Sequence, residues 1–177
     1  MKRTLAALVA CLLLSVPALA EEKDPGPKER HRGKQAISTQ DAPPAIGPYS
    51  QAIQAGPLLF VSGSLGMDPA TGKIVAGGVA AETEQSLKNL GAILGAAGAS
   101  FDSVVKTTIF LTEMADFSTV NEIYAKRFAG APPARSTVAV KELPRGGKVE
   151  IEVTAFVPHR GKRAERDADA PRKPGRD

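Results

Sequence analysis

Four apolar residues stand in a row at Leu58-Leu59-Phe60-Val61, directly behind a Gly56-Pro57 pair. With the Tyr49 to Ala55 segment before that pair, the pattern predicts two strands joined by a tight turn, followed by a loop at Asp68-Pro69-Ala70-Thr71-Gly72-Lys73. The period then changes. From about Val79 to Ala97 the residues Leu87, Leu90 and Leu94 recur at helical spacing, with Glu82, Glu84, Gln85 and Lys88 assigned to other faces, and Gly98 stands where such a helix would stop. Ser103 to Thr112, SVVKTTIFLT, is rich in β-branched and aromatic residues and predicts a strand. Asp116 is a candidate cap for a second helix reaching about Phe128, with Phe117, Val120, Tyr124 and Phe128 as its inward stripe. Beyond Pro132-Pro133, strands are predicted near Ser136 to Val140 and Val149 to Val157, linked by Leu143-Pro144-Arg145-Gly146-Gly147.

The order β-β-α-β-α-β-β predicts an α+β fold, a single mixed sheet with two helices packed on one face. No internal repeat or heptad run interrupts it. The other sheet face has no cover, yet Leu58-Leu59-Phe60-Val61 and Val138-Ala139-Val140 put apolar side chains on both sides of their strands. Monomers rarely expose large contiguous apolar patches, so a homo-oligomer with sheets packed together is expected.

The ends of the chain read differently. Residues 1–20, MKRTLAALVACLLLSVPALA, have a basic start, an apolar run and a small-x-small close, the pattern of a cleaved export signal, and imply a secreted or periplasmic protein with no membrane attachment after cleavage. A lipoprotein processed at Cys11 is the minor alternative. Residues 21–34 and 160–177 are charged, broken by Pro and Gly, and predict disordered extensions around one domain at 35–159. Composition narrows the chemistry further. The whole chain carries +4, but between Gln35 and His159 nine Lys/Arg face eleven Asp/Glu, a net −2, so the excess positive charge lies in the ends and no specific nucleic-acid face is expected. Cys11 is the one cysteine and leaves with the signal, while the two histidines, His31 and His159, lie in the leading extension and at the domain's last edge. Ser/His/Asp and Cys/His triads and His- or Cys-ligated metal sites therefore lack their parts. No GxxxxGK(S/T) phosphate loop or dinucleotide fingerprint is present.

Within PPARSTVAV, Arg135 is open to two readings: a strand-start residue that is solvated or salt-bridged, or a planar fork of donors that grips a carboxylate. Composition does not choose between them. Five ordered segments bear on the choice: Ala45 to Ala52 (AIGPYSQA), Phe60 to Gly63 (FVSG), Val105 to Leu111 (VKTTIFL), Pro133 to Ser136 (PARS) and Lys148 to Glu152 (KVEIE). In order and spacing this set resembles the RidA/YjgF family, over about Ile37 to Val157.

The resemblance implies a chorismate-mutase-like α+β fold and a homotrimer whose sheets line a central barrel, with sites in the clefts between subunits. It implies hydrolysis of 2-imino acids and their enamines, such as 2-iminobutanoate and 2-iminopropanoate, to 2-oxo acids and ammonia without metal or cofactor. It assigns Arg135 to the substrate carboxylate, Glu150 to orienting or activating water, and Tyr49, Ser62, Gly63, Asn121 and the backbone at Thr137 to the pocket. Each has a plainer alternative: a half-buried core ring for Tyr49, a cap or backbone partner for Asn121, close backbone packing for Gly63, a water-facing strand position for Glu150. Thr137 stands where many bacterial relatives carry cysteine, and Ser64 where glutamine is frequent. A small-carboxylate binding protein on the same trimer, a holdase-like stress protein and a ribonuclease are the competing functions.

Overall fold

The computed structural model describes residues 33–128 and 130–157. The predicted leader at 1–20, nearly all of the 21–34 extension, the 160–177 tail, Cys11 and both histidines lie outside the described residues. The elements in chain order are β1 (Lys34–Ile37), β2 (Ala52–Ala55), β3 (Leu58–Leu65), α1 (Gly78–Ala96), β4 (Val104–Leu111), α2 (Phe117–Ala125), β5 (Ala134–Ala139) and β6 (Val149–Phe156). They build one six-stranded sheet in the order β1-β2-β3-β6-β4-β5. All neighbours are antiparallel except β4 and β5, which run parallel because α2 carries the chain back between them.

Alternation decides which residues meet the helices. Leu59 and Val61 of β3, Thr107, Ile109 and Leu111 of β4, and Val149, Ile151, Val153 and Ala155 of β6 are buried on one face. Against them lie Leu87, Leu90 and Leu94 of α1 and Val120, Ile123 and Tyr124 of α2, forming one core. Truncating a fully buried leucine such as Leu90 to alanine costs about 2–5 kcal/mol through lost transfer energy and the cavity left behind. Gly98, at φ 75°, ends α1: Ala99 N–H bonds Leu94 O and Gly98 N–H bonds Gly95 O, a turn that needs the left-handed backbone glycine tolerates. The opposite sheet face stays bare, with Leu58, Phe60, Val138 and Phe156 between 36% and 49% exposed.

The strand and helix order is as expected, with one addition. Strand β1, KQAI, is an edge strand whose residues are mostly exposed, so no apolar run announces it; pairing with β2 holds it in place. Other positions differ in detail. Tyr49 to Gln51 lies outside the strand, because Gly47-Pro48 turns the chain before Ala52. Asp116 sits at the start of α2 but its side chain makes no capping bond, since a short 3₁₀ turn at Met114–Asp116 leads into the helix. Glu82, assigned to an outer face of α1, is only 3% exposed; its Oε2 accepts the Lys148 N–H at 2.7 Å, which ties α1 to the loop before β6.

Candidate active site

Strand β3 changes register against β6 between Val61 and Ser64, so one extra residue enters β3 at Ser62-Gly63. A bulge of this kind re-aims side chains, and here it follows the last pairing of β3 with β2, at Ala52. The freed edge of β3 borders a cleft of about 330 Å³, lined by residues that include Tyr49, Ser62, Gly63, Ser64 and Glu150. Tyr49 is 51% exposed, and its hydroxyl accepts the Ile46 N–H at 3.2 Å, so the ring stands in the cleft wall rather than in the core. Ser62 Oγ donates to Ser50 O at 2.7 Å, leaving its lone pairs free.

Gly63 leaves room for the Glu150 side chain. A Cβ at position 63 would run into the Glu150 carboxyl group, so the carboxylate lies directly over bare backbone. Burial first, and the neighbouring Glu152 carboxylate second, push the Glu150 carboxyl above its ordinary value of 4.5. A carboxyl raised by desolvation is a stronger base than a solvated one, which suits it to taking a proton from water.

The sequence alone gives Gln51 no role beyond its place in GPYSQA. It is 7% exposed and saturated: its amide donates to Thr39 O, Ala42 O and Pro43 O at 3.1, 3.2 and 2.8 Å, and accepts the Thr39 N–H at 2.7 Å. One side chain thus pins the segment that carries Pro43 and Pro44, two residues of the cleft wall. No spacing rule exposes such an anchor, because its partners are backbone groups.

Arg135 lies elsewhere. Its Nη2 donates to Asn121 Oδ1 at 2.8 Å, and its guanidinium carbon sits 4.8 Å from the Tyr124 ring centroid and 5.7 Å from that of Phe117. Phe117, Asn121 and Tyr124 are four and three residues apart on α2, so one helix face presents all three to the guanidinium. That spacing was legible, although Phe117 was placed in the core stripe; it is 39% exposed and stacks on the arginine. Tyr124 is anchored in turn by donating to Thr107 Oγ1 at 2.9 Å. Burial raises the Tyr124 phenol above its ordinary value, against smaller lowering effects from the Thr107 bond and the Arg135 charge. Among the described residues the ion pair is Arg127–Glu84, so Arg135 is held by neutral groups alone and its charge is uncompensated. Asn121 therefore orients the arginine instead of capping a helix. Thr137 follows two residues on, half-buried on the same side of β5.

Within one chain the two groups stay apart. Arg135 pairs in register with Thr107 and so with Val153 on the helix-covered face, whereas Glu150 alternates to the open face three positions along β6. Two strand spacings and three residue rises put their backbones roughly 14 Å apart, on opposite sides of the sheet. The predicted site residues therefore form two half-sites: Tyr49, Ser62, Gly63 and Glu150 in one, Arg135, Asn121 and Thr137 in the other.

Comparison with known proteins follows the same boundaries. The family model described as "Endoribonuclease L-PSP" matches residues 39–157. The chain is 55% identical over 122 residues to a mouse protein named 2-iminobutanoate/2-iminopropanoate deaminase, covering 69% of this chain and 90% of that one. Among solved structures it resembles RidA from the Antarctic bacterium Psychrobacter (42% identity, 70% of this chain and 99% of that one, TM-score 0.68). It is also similar to E. coli TdcF, solved with bound serine (42% identity, 70% and 99% coverage, TM-score 0.67).

Proposed function

The chain belongs to the endoribonuclease L-PSP family, also called the YjgF/RidA family, and from that premise we propose that it is a hydrolytic deaminase of reactive 2-imino acids. The reaction is R–C(=NH)–COO⁻ + H₂O → R–C(=O)–COO⁻ + NH₃. The observation that carries the reading is the uncompensated Arg135 guanidinium, fixed by an amide oxygen and two rings and presenting free donors to an anion. A fork held this way grips the substrate carboxylate at two points and so fixes the adjacent C=N carbon. Glu150, raised by burial, takes a proton from the attacking water and returns it toward the departing nitrogen. The imine is already electrophilic, so positioning supplies most of what is required, several kcal/mol of barrier.

Because the half-sites lie on opposite sides of one sheet, we further propose that a neighbouring copy completes each site, in a homotrimer that buries the exposed Leu58, Phe60 and Phe156 between copies. Sedimentation equilibrium is expected to give three times the chain mass. The leader at residues 1–20 supports export, with a mature chain starting near Glu21 as the N-terminal sequencing outcome. A ribonuclease reading finds no support in a domain of net charge −2.

The test is ammonia release from 2-iminopropanoate and 2-iminobutanoate formed in situ by an amino-acid oxidase. Wild-type protein is expected to accelerate it and Arg135→Ala to lose most of that effect. No acceleration, or equal rates in the two proteins, overturns the proposal. Calorimetric binding of 2-oxobutanoate without any acceleration would instead identify a carboxylate-binding protein.

A further inference from the structure

The half-site around Glu150 is larger and more apolar than a methyl or ethyl side chain requires. Its cleft of about 330 Å³ would hold on the order of ten waters at about 30 Å³ each. Behind Ser62 and Gly63 the walls are Pro43, Pro44, Ile46, Leu65, Met67 and Ile93, with Met67 and Ile93 only 6% and 5% exposed. Most polar groups that reach this space are already engaged, leaving the Ser62 lone pairs and the Tyr49 hydroxyl proton. Gln51 spends its amide on Thr39, Ala42 and Pro43 backbone, Ser62 Oγ on Ser50 O, and Ser64 Oγ on Ser86 O at 3.4 Å. Among the described residues, Glu150 is the one charged residue in the lining.

Resting on the imine-deaminase reading, we infer that this chamber is a side-chain pocket selecting 2-imino acids with unbranched or γ-branched apolar side chains of three to five carbons over 2-iminopropanoate. The orientation follows from the site: with the carboxylate on Arg135 and the C=N carbon beside Glu150, the remaining substituent has the apolar chamber to enter. Each methylene that leaves water there favours binding by about fourfold. A charged or amide side chain would instead trade its full hydration for at most the Ser62 lone pairs, the Tyr49 hydroxyl and the Glu150 carboxyl, a penalty apolar substrates avoid. The pocket is preformed on one side, since two prolines and the saturated Gln51 hold that wall, and adaptable on the other, where Met67 can shift to fit. Ile46, 51% exposed in the lining, is the apolar wall residue that can be changed without disturbing the core.

The experiment compares kcat/KM for imines generated by an amino-acid oxidase from alanine, 2-aminobutanoate, norvaline, norleucine and leucine, and from glutamine as the polar control. Expected for the wild type is a rise of about fourfold per added carbon up to norleucine, with the glutamine-derived imine at least about tenfold below norleucine's. Ile46→Ser removes an apolar wall residue that is half exposed and so leaves the core intact; it lowers the norleucine-to-alanine ratio a few-fold. A profile that is flat or falls with chain length, or a ratio unchanged in Ile46→Ser, overturns the pocket while leaving the deaminase reading standing. Absence of activity on every imine overturns both.

Discussion

The arginine half-site and the glutamate half-site handle charge in opposite ways. Arg135 presents a guanidinium whose neighbours are an amide oxygen and two aromatic faces that steer it without neutralising it. Glu150 receives no hydrogen bond among the described residues, is partly withdrawn from water, lies over the bare Gly63 backbone, and has a second carboxylate two residues on. One half is thus geometric. The other is responsive, and its charge is set by conditions. The proposed mechanism therefore gives binding to the first half and proton transfer to the second, and the division is open to attack from either side.

The largest effect is expected from Glu150→Gln, which keeps the shape and removes the base: kcat falls about 10²–10⁴-fold. Calorimetric affinity for 2-oxobutanoate stays within a few-fold of wild type, because the arginine half is intact. A kcat within twofold of wild type would remove Glu150 as the base. Arg135→Ala comes next, with kcat/KM down about a hundredfold or more, carried mainly by KM, since the carboxylate loses its charged partner. Arg135→Lys recovers only part of this, because a point charge replaces a planar fork. If both variants instead lowered kcat at unchanged KM, binding and chemistry would not be divided as described. Gly63→Ala is the third probe. It adds a methyl group where the Glu150 carboxyl lies, so kcat drops about tenfold to a hundredfold while 2-oxobutanoate still binds. Full activity in this variant would show that the carboxylate has no fixed place.

How much of this was legible in the sequence depended on what made each residue identifiable. Elements with strong periodicity, α1 through Leu87, Leu90 and Leu94, and β4 through SVVKTTIFLT, lie within a residue or two of expectation because the core face imposes the period. Strand β1 was missed because an edge strand of Lys, Gln and Ala buries almost nothing. The same limit hid Glu82 and Gln51: a polar residue that serves backbone groups distant in sequence looks identical to a solvated one until the loop it binds is in place. At the site, Arg135 and Glu150 stood out through the motif resemblance, but their placement on opposite sheet faces needed the register, and the bulge at Ser62-Gly63 has no sequence signature beyond a glycine inside a strand.

The smallest expected effect tests the responsive half most directly. Glu152 raises the Glu150 carboxyl by charge repulsion, second to burial, so Glu152→Gln is expected to move the acid limb of the kcat/KM profile to lower pH. The limb remains above the ordinary carboxylate value of 4.5, because burial is untouched. Stability must move with it. A carboxyl whose folded pKa is raised favours the fold at low pH, and that contribution disappears as pH rises from the ordinary value through the raised one. The wild-type fold therefore carries a cost at neutral pH for keeping Glu150 ionised, and Glu152→Gln reduces it. Denaturant midpoints measured at pH 4 and pH 7.5 should show the variant gaining relative to wild type at the higher pH and little at the lower. An acid limb that stays in place, together with equal differences at both pH values, would mean that the two carboxylates do not feel one another and that burial alone sets the base.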